Sequence, residues 1–173
     1  VFGSIYIQWN FYVKSYNSYS NSDRSIAITF DDGPAAQTER ILDILKEHSV
    51  QAAFFSIGKN AVAHPQLIKR WYAEGHLIGN HSYNHSFNFD WQSSKSMTAE
   101  IEQTNAAIQV IAGVRPLCFR PPYGVTNPNL AKAIRNTGMQ SIGWNIRSCD
   151  TKAKDPDALL QRLLGKLKGG DSV

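Results

Sequence analysis

Between residues 5 and 13, apolar Ile5, Ile7, Trp9, Phe11 and Val13 alternate with Tyr6, Gln8, Asn10 and Tyr12. A period of two predicts a strand with one buried face, and the Ser/Asn-rich residues 15–22 predict a loop after it. From residue 25 short apolar runs separate stretches of helical periodicity. Strands are predicted over 26–30, 52–57, 76–79, 117–119 and 139–144, and helices over 37–47, 65–74, 99–112, 128–135 and 156–168. Asn127 before Pro128 and Asp155 before Pro156 set a capping side chain ahead of a proline whose missing N–H costs nothing at the first helical position. Gly113, Gly138 and Gly169 stand where the chain leaves helices. Ile101, Thr104, Ile108 and Ile111 share one helical face, Leu160, Leu163, Leu164 and Leu167 another, and both stripes are expected to face a sheet. Repeated strand–helix units imply parallel strands with right-handed crossovers, hence an α/β barrel or doubly wound sheet. In either, chemistry collects beyond the carboxyl ends of the strands.

Composition narrows the picture. A chain of 173 residues, 42% hydrophobic, suits one domain with a sizeable core. The expected division is an N-terminal strand and loop over 1–24, then one domain over 25–173. Seven aromatics in the first 19 residues either pack under a sheet or offer a sugar-stacking or membrane-proximal surface. A net charge of +4 without a dense Lys/Arg stripe argues against nucleic acid as a partner. Cys118 and Cys149 are too few for a disulfide framework and read as small buried hydrophobes. No apolar run reaches the roughly 20 residues that span a bilayer. The chain opens at Val1, inside an apolar stretch, and is read as a fragment with a signal peptide or anchor upstream.

Candidate chemistry sits at the predicted strand ends. Strand 26–30 runs into Asp31-Asp32-Gly33-Pro34, two carboxylates followed by a turn. They either cap and turn the chain or divide labour, one ligating a metal and the other acting as a base. After strand 76–79 come His81 and His85, whose i,i+4 spacing on a helical turn brings two imidazoles within reach of one Zn²⁺. Two His and one Asp leave a tetrahedral ion an open position, as catalytic sites do. After strand 117–119, Arg120-Pro121-Pro122-Tyr123-Gly124 is a stiff loop able to orient a carboxylate through its Arg and an oxyanion through a backbone N–H. Asp150 follows the last predicted strand as a partner for Arg120. His48, His64 and His76 read as surface or loop residues.

Thr29-Phe30-Asp31-Asp32-Gly33-Pro34, His81-Ser82-Tyr83-Asn84-His85 and Arg120-Pro121-Pro122-Tyr123-Gly124 resemble, in order, the first three motifs of the polysaccharide deacetylase (NodB-homology) family, carbohydrate esterase family 4. The resemblance covers about residues 25–171. It implies a distorted (β/α) barrel, here without its last strand or strands, and metal-dependent removal of acetyl groups from N-acetylated glycans such as peptidoglycan or chitin oligomers. By motif, Asp31 resembles the catalytic base and Asp32, His81 and His85 the ligands of Zn²⁺ or another divalent ion such as Co²⁺. Arg120 resembles the residue that holds the base, Tyr123 the donor of an N–H to the oxyanion, and Asp150 the acid that partners the Arg. A monomeric, extracytoplasmic or envelope-tethered protein is implied. Two departures stand out. Arg147-Ser148-Cys149-Asp150-Thr151 keeps only the second Asp of the family's Asp-x-x-Asp-Trp, and the His-Asp motif whose His serves as general acid is expected beyond Val173. A carbohydrate-binding pseudoenzyme and a metal hydrolase of another amide or ester remain alternatives.

Overall fold

Each strand that returns to the same sheet in the same direction needs a crossover, and helices here supply most of them. The computed structural model describes residues 2–19 and 25–173, with the side chains of all but residues 2, 3 and 151. Six strands, β1 (Ser15–Tyr16), β2 (Thr29–Phe30), β3 (Ala53–Ser56), β4 (Leu77–Asn80), β5 (Cys118–Phe119) and β6 (Gln140–Ile142), form one sheet in the order β1-β6-β5-β4-β3-β2. Every pair is parallel. The sheet curls into a partial barrel: residues 171–173 bridge to Ala27 on the β2 side and to Ser18 on the β1 side.

Helices α2 (Thr38–Glu47), α4 (Pro65–Ala73), α5 (Ser94–Ala112) and α6 (Pro128–Thr137) cover the outer face. Strand alternation sorts the side chains of β3. Phe54 stacks on Trp71 of α4 at 4.6 Å, while Phe55, next along, lies beneath the Arg120 guanidinium. The expected stripe on α5 packs as anticipated, with Ile101, Thr104 and Ile108 fully buried. The caps at Asn127 and Asp155 form, accepting from the N–H groups of Leu130 and Asp157. Gly113 and Gly138 end α5 and α6 in the left-handed conformation.

Several expectations fail. Residues 5–13 form no strand: Phe2–Ile5 (α1) is a helical turn and Ile7–Trp9 a 3-10 turn. Tyr6 stacks on Trp9, Asn10 turns left-handed, and its side chain accepts the Ser15 N–H, launching β1 inside the segment expected to be loop. Residues 20–22 of that expected loop lie outside the described residues. A helix not anticipated, α3 (Gly58–Ala63), follows β3. The last helix, α7 (Pro156–Leu164), ends before Gly165 rather than at Gly169, and Leu160 and Leu164 are exposed. No strand of the six-stranded sheet follows it to receive its stripe; it is tied at its ends, by the Asp155 cap and by an Arg162 bond to the Ser148 carbonyl. His76 is buried against Phe54 rather than exposed. Cys118 and Cys149 are both free and half-buried.

Candidate metal centre and active site

The loops leaving β2, β4 and β5 converge on one cavity of about 670 Å³ at the carboxyl end of the sheet. Asp31, Asp32, His81, His85, Arg120, Tyr123, Trp144 and Asp150 all line it. The candidate residues thus gather at the carboxyl edge of the sheet, where the strand-end rule expects them.

Asp32, His81 and His85 each offer one ligand atom, all within 4.8 Å of one another. Asp32 Oδ1 lies 3.4 Å from His81 Nε2 and 3.3 Å from His85 Nε2. His81 Nδ1 is 2.7 Å from the Arg120 carbonyl, which can only accept, so Nδ1 carries a proton and Nε2 is the nitrogen turned towards Asp32. Burial, then the neighbouring His81, lowers the pKa of His85 and favours its neutral, ligating form. The hydrogen bond from His81 holds Asp32 below the usual carboxylate value. An anionic oxygen and two imidazole nitrogens converging in this way fit a divalent cation.

The two histidines meet by a different route from the helical turn expected. Residues 81–85 form no helix; Ser82 and His85 both take positive φ, and the loop folds back on itself. Asp32, Tyr123 and Cys149 share that strained region, so five of the seven described non-glycine residues with positive φ belong to the site loops. The surroundings hold them there. Asn60 donates to the Asp32 carbonyl, and the N–H groups of Gly58 and Lys59 bond the carbonyls of Ser82 and Tyr83. Gly58 has no substitute in this contact: a Cβ there would lie 2.4 Å from Tyr83 Cδ2. Asn80 accepts from the Ser82 N–H, and Glu100 on α5 accepts from the N–H groups of Tyr83 and Asn84.

Asp31 does not join the three ligands. Its Oδ1 sits 2.8 Å from Arg120 Nη1. The guanidinium is almost fully buried, rests on the Phe55 ring at 4.1 Å and also donates to Thr29 Oγ1 and to the carbonyls of Ile142 and Gly143. Burial lowers its pKa and Asp31 opposes that change. The expected pairing of Arg120 with Asp150 is corrected here. Asp31, Thr29 and the β6 carbonyls occupy the guanidinium, and exposed Asp150 accepts from Ser148 Oγ on the cavity wall. The side chain of Thr151 lies outside the described residues.

Sequence reasoning missed Trp144, Glu100, Asn60 and Asn80. Trp144 lines the cavity and packs where a Cβ on Gly124 would lie, 2.6 Å from its ring. Only the Asn80 and Glu100 positions carry a signal, a polar residue within a buried strand or helix face.

A family model described as polysaccharide deacetylase matches residues 18–142. The chain is 37% identical over 149 residues to a peptidoglycan-N-acetylglucosamine deacetylase of Bacillus cereus, covering 86% of this chain but 54% of that relative's length. It superposes on the peptidoglycan deacetylase PdaC of Bacillus subtilis with a TM-score of 0.81 and 32% identity, over 87% of this chain and 73% of the other. A similar likeness, TM-score 0.83 and 28% identity over 91% and 56% of the two chains, links it to a structure titled as a CE4 family pseudoenzyme from Bacillus anthracis.

Proposed function

The chain belongs to the polysaccharide deacetylase family, and on that premise we propose that it hydrolyses the acetamide of an N-acetylated glycan. The observation that carries the reading is the placement of the Arg120-bound Asp31 carboxylate in the same cavity as the Asp32–His81–His85 cluster. A divalent cation in that cluster supplies Lewis acidity towards an amide carbonyl, and the oxygen and nitrogen donors suit Zn²⁺ or Co²⁺.

In this reading Asp31 takes the proton of the attacking water, and Arg120 keeps its free oxygen aimed into the cavity. Tyr123, held at positive φ between Pro122 and Gly124, presents its backbone N–H to the oxyanion, a preorganised donor of the kind that contributes roughly 3 kcal/mol. The leaving amine needs a proton. His81 and His85 are the only described histidines lining the cavity, and neither is free for that task while it ligates. Surroundings outside the cytoplasm that carry an N-acetylated glycan are the setting this reading implies.

Acetate release from N-acetylglucosamine oligomers and from an activated aryl acetate, whose leaving group departs without protonation, tests the proposal. Release by the Zn²⁺-loaded chain is expected, abolished by Asp31→Asn with metal uptake intact. Full activity in Asp31→Asn removes that residue as base. Absence of release from every substrate overturns the hydrolase reading and favours glycan binding without turnover, as the likeness to a pseudoenzyme would suggest.

A further inference from the structure

We propose that Phe87, set edge-to-face against Tyr123 at the cavity rim, is a stacking shelf for a second pyranose ring, the neighbour of the sugar whose acetamide enters the cavity; this rests on the glycan reading above. Phe87 follows His85 by two residues and is 88% exposed. Its ring stands 6.1 Å from that of Tyr123 at 68°, and the Tyr123 ring stands 4.9 Å from His85. Tyr123 lines the cavity and Phe87 does not, so the rings step outward from the metal ligand to the rim.

Three features mark this as a binding surface. An apolar ring that folding leaves in water contributes nothing to the core, although adjacent Phe89 is fully buried there. The segment is fixed on both sides: His85 N–H bonds Ser82 Oγ, and Phe89 N–H bonds the Ser86 carbonyl. Phe87 is therefore presented from an anchored loop, which limits the ordering cost of binding. Lastly, an exposed aromatic face beside a half-exposed Tyr suits the C–H face of a sugar, the Tyr hydroxyl remaining for polar contact. The occupant is a glycan because the shelf is continuous with the cavity through Tyr123.

The test measures binding of N-acetylglucosamine monomer and tetramer to the Zn²⁺-loaded chain carrying Asp31→Asn, with and without Phe87→Ala or Phe87→Trp. Phe87→Ala should cut the tetramer-over-monomer affinity ratio about tenfold, in line with one aromatic stacking contact, and Phe87→Trp should keep it. An unaltered ratio in Phe87→Ala overturns the shelf and leaves the deacetylase reading intact. Failure of the parent chain to bind any length overturns both, and self-association that Phe87→Ala abolishes assigns the ring to a protein interface instead.

Discussion

Arg120 serves two residues of the site at once, its guanidinium 2.8 Å from Asp31 and its carbonyl 2.7 Å from His81 Nδ1. One backbone position thereby orients both a carboxylate and one imidazole of the Asp32–His81–His85 cluster. Arg120→Lys separates the two jobs, because the backbone carbonyl survives while a single ammonium cannot reach Asp31, Thr29 and the Ile142 and Gly143 carbonyls together. The expected result is a fall in kcat/KM of about 10- to 100-fold with Zn²⁺ affinity within a few-fold of the parent, read by acetate release and chelator competition. Parallel loss of both would show that the side chain also shapes the metal cluster.

Glu100 does for the His81–His85 loop what Arg120 does for Asp31. Its Oε2 accepts the Tyr83 and Asn84 N–H groups, at 3.2 and 3.0 Å, and Oε1 accepts Gln92 Nε2. Glu100→Gln must turn an amide NH₂ either towards two N–H donors or towards the Gln92 amide. Zn²⁺ affinity should fall about tenfold, the size seen when supports of ligands are removed. Unchanged affinity in a chelator titration would make the loop self-supporting.

Residues that touch a ligand and residues that place it were not equally visible in the sequence. Asp31, Asp32, His81, His85 and Arg120 stand at the ends of apolar runs, where parallel strands must deliver them to one edge, so their convergence follows from periodicity and motif together. The path between His81 and His85 did not follow: a spacing of four suggests a helix, but bonds from Asn80, Ser82, Gly58 and Glu100 outweigh it. The bonds from Asn80 and Ser82 are local, but those from Gly58 and Glu100 come from helices distant in sequence, and local pattern carries no record of them. Residues 5–13 mislead for a similar reason. Alternation marks a strand only where a neighbour accepts its backbone, and β6 pairs with Ser15 and Tyr16 instead. Motif order pairs Asp150 with Arg120, whereas the carbonyls of Ile142 and Gly143 take the donors turned towards β6.

Gly143 is a further point where the N-terminal segment reaches the site. Its N–H bonds the carbonyl of Tyr16, the last residue of β1, and its own carbonyl accepts from Arg120 Nη2. A Cβ at Gly143 would stand 2.0 Å from Asn17 Oδ1 and 3.1 Å from Ile7 Cγ2, both buried. Gly143→Ala is therefore expected to cost about 1–3 kcal/mol in urea unfolding. Adding Asn17→Ala should recover part of it, since the clashing Oδ1 has no hydrogen-bond partner and the substitution gives up only the Nδ2 bond to the Ser15 carbonyl. A double variant no more stable than Gly143→Ala alone would locate the clash elsewhere.

His76 makes stability depend on pH at the opposite end of the strands from the cavity. It precedes β4, its Nδ1 accepts the Ala52 N–H, and its ring packs on Phe54. Burial lowers its pKa, against the pull of Glu74, whose Oε2 lies 3.8 Å from Nε2, and with the repulsion of Arg70, itself paired to Asp43 and Glu74. With the folded value below the unfolded one of about 6.5, the unfolded chain binds the proton more readily. The stabilisation from neutral His76 is present above pH 6.5 and fades as pH falls through that value towards the folded pKa. Urea midpoints should drop between pH 7.5 and 5.5, and His76→Gln should flatten the change attributable to this site when both chains are compared metal-free. An identical pH slope in His76→Gln would show that Glu74 compensates the buried charge.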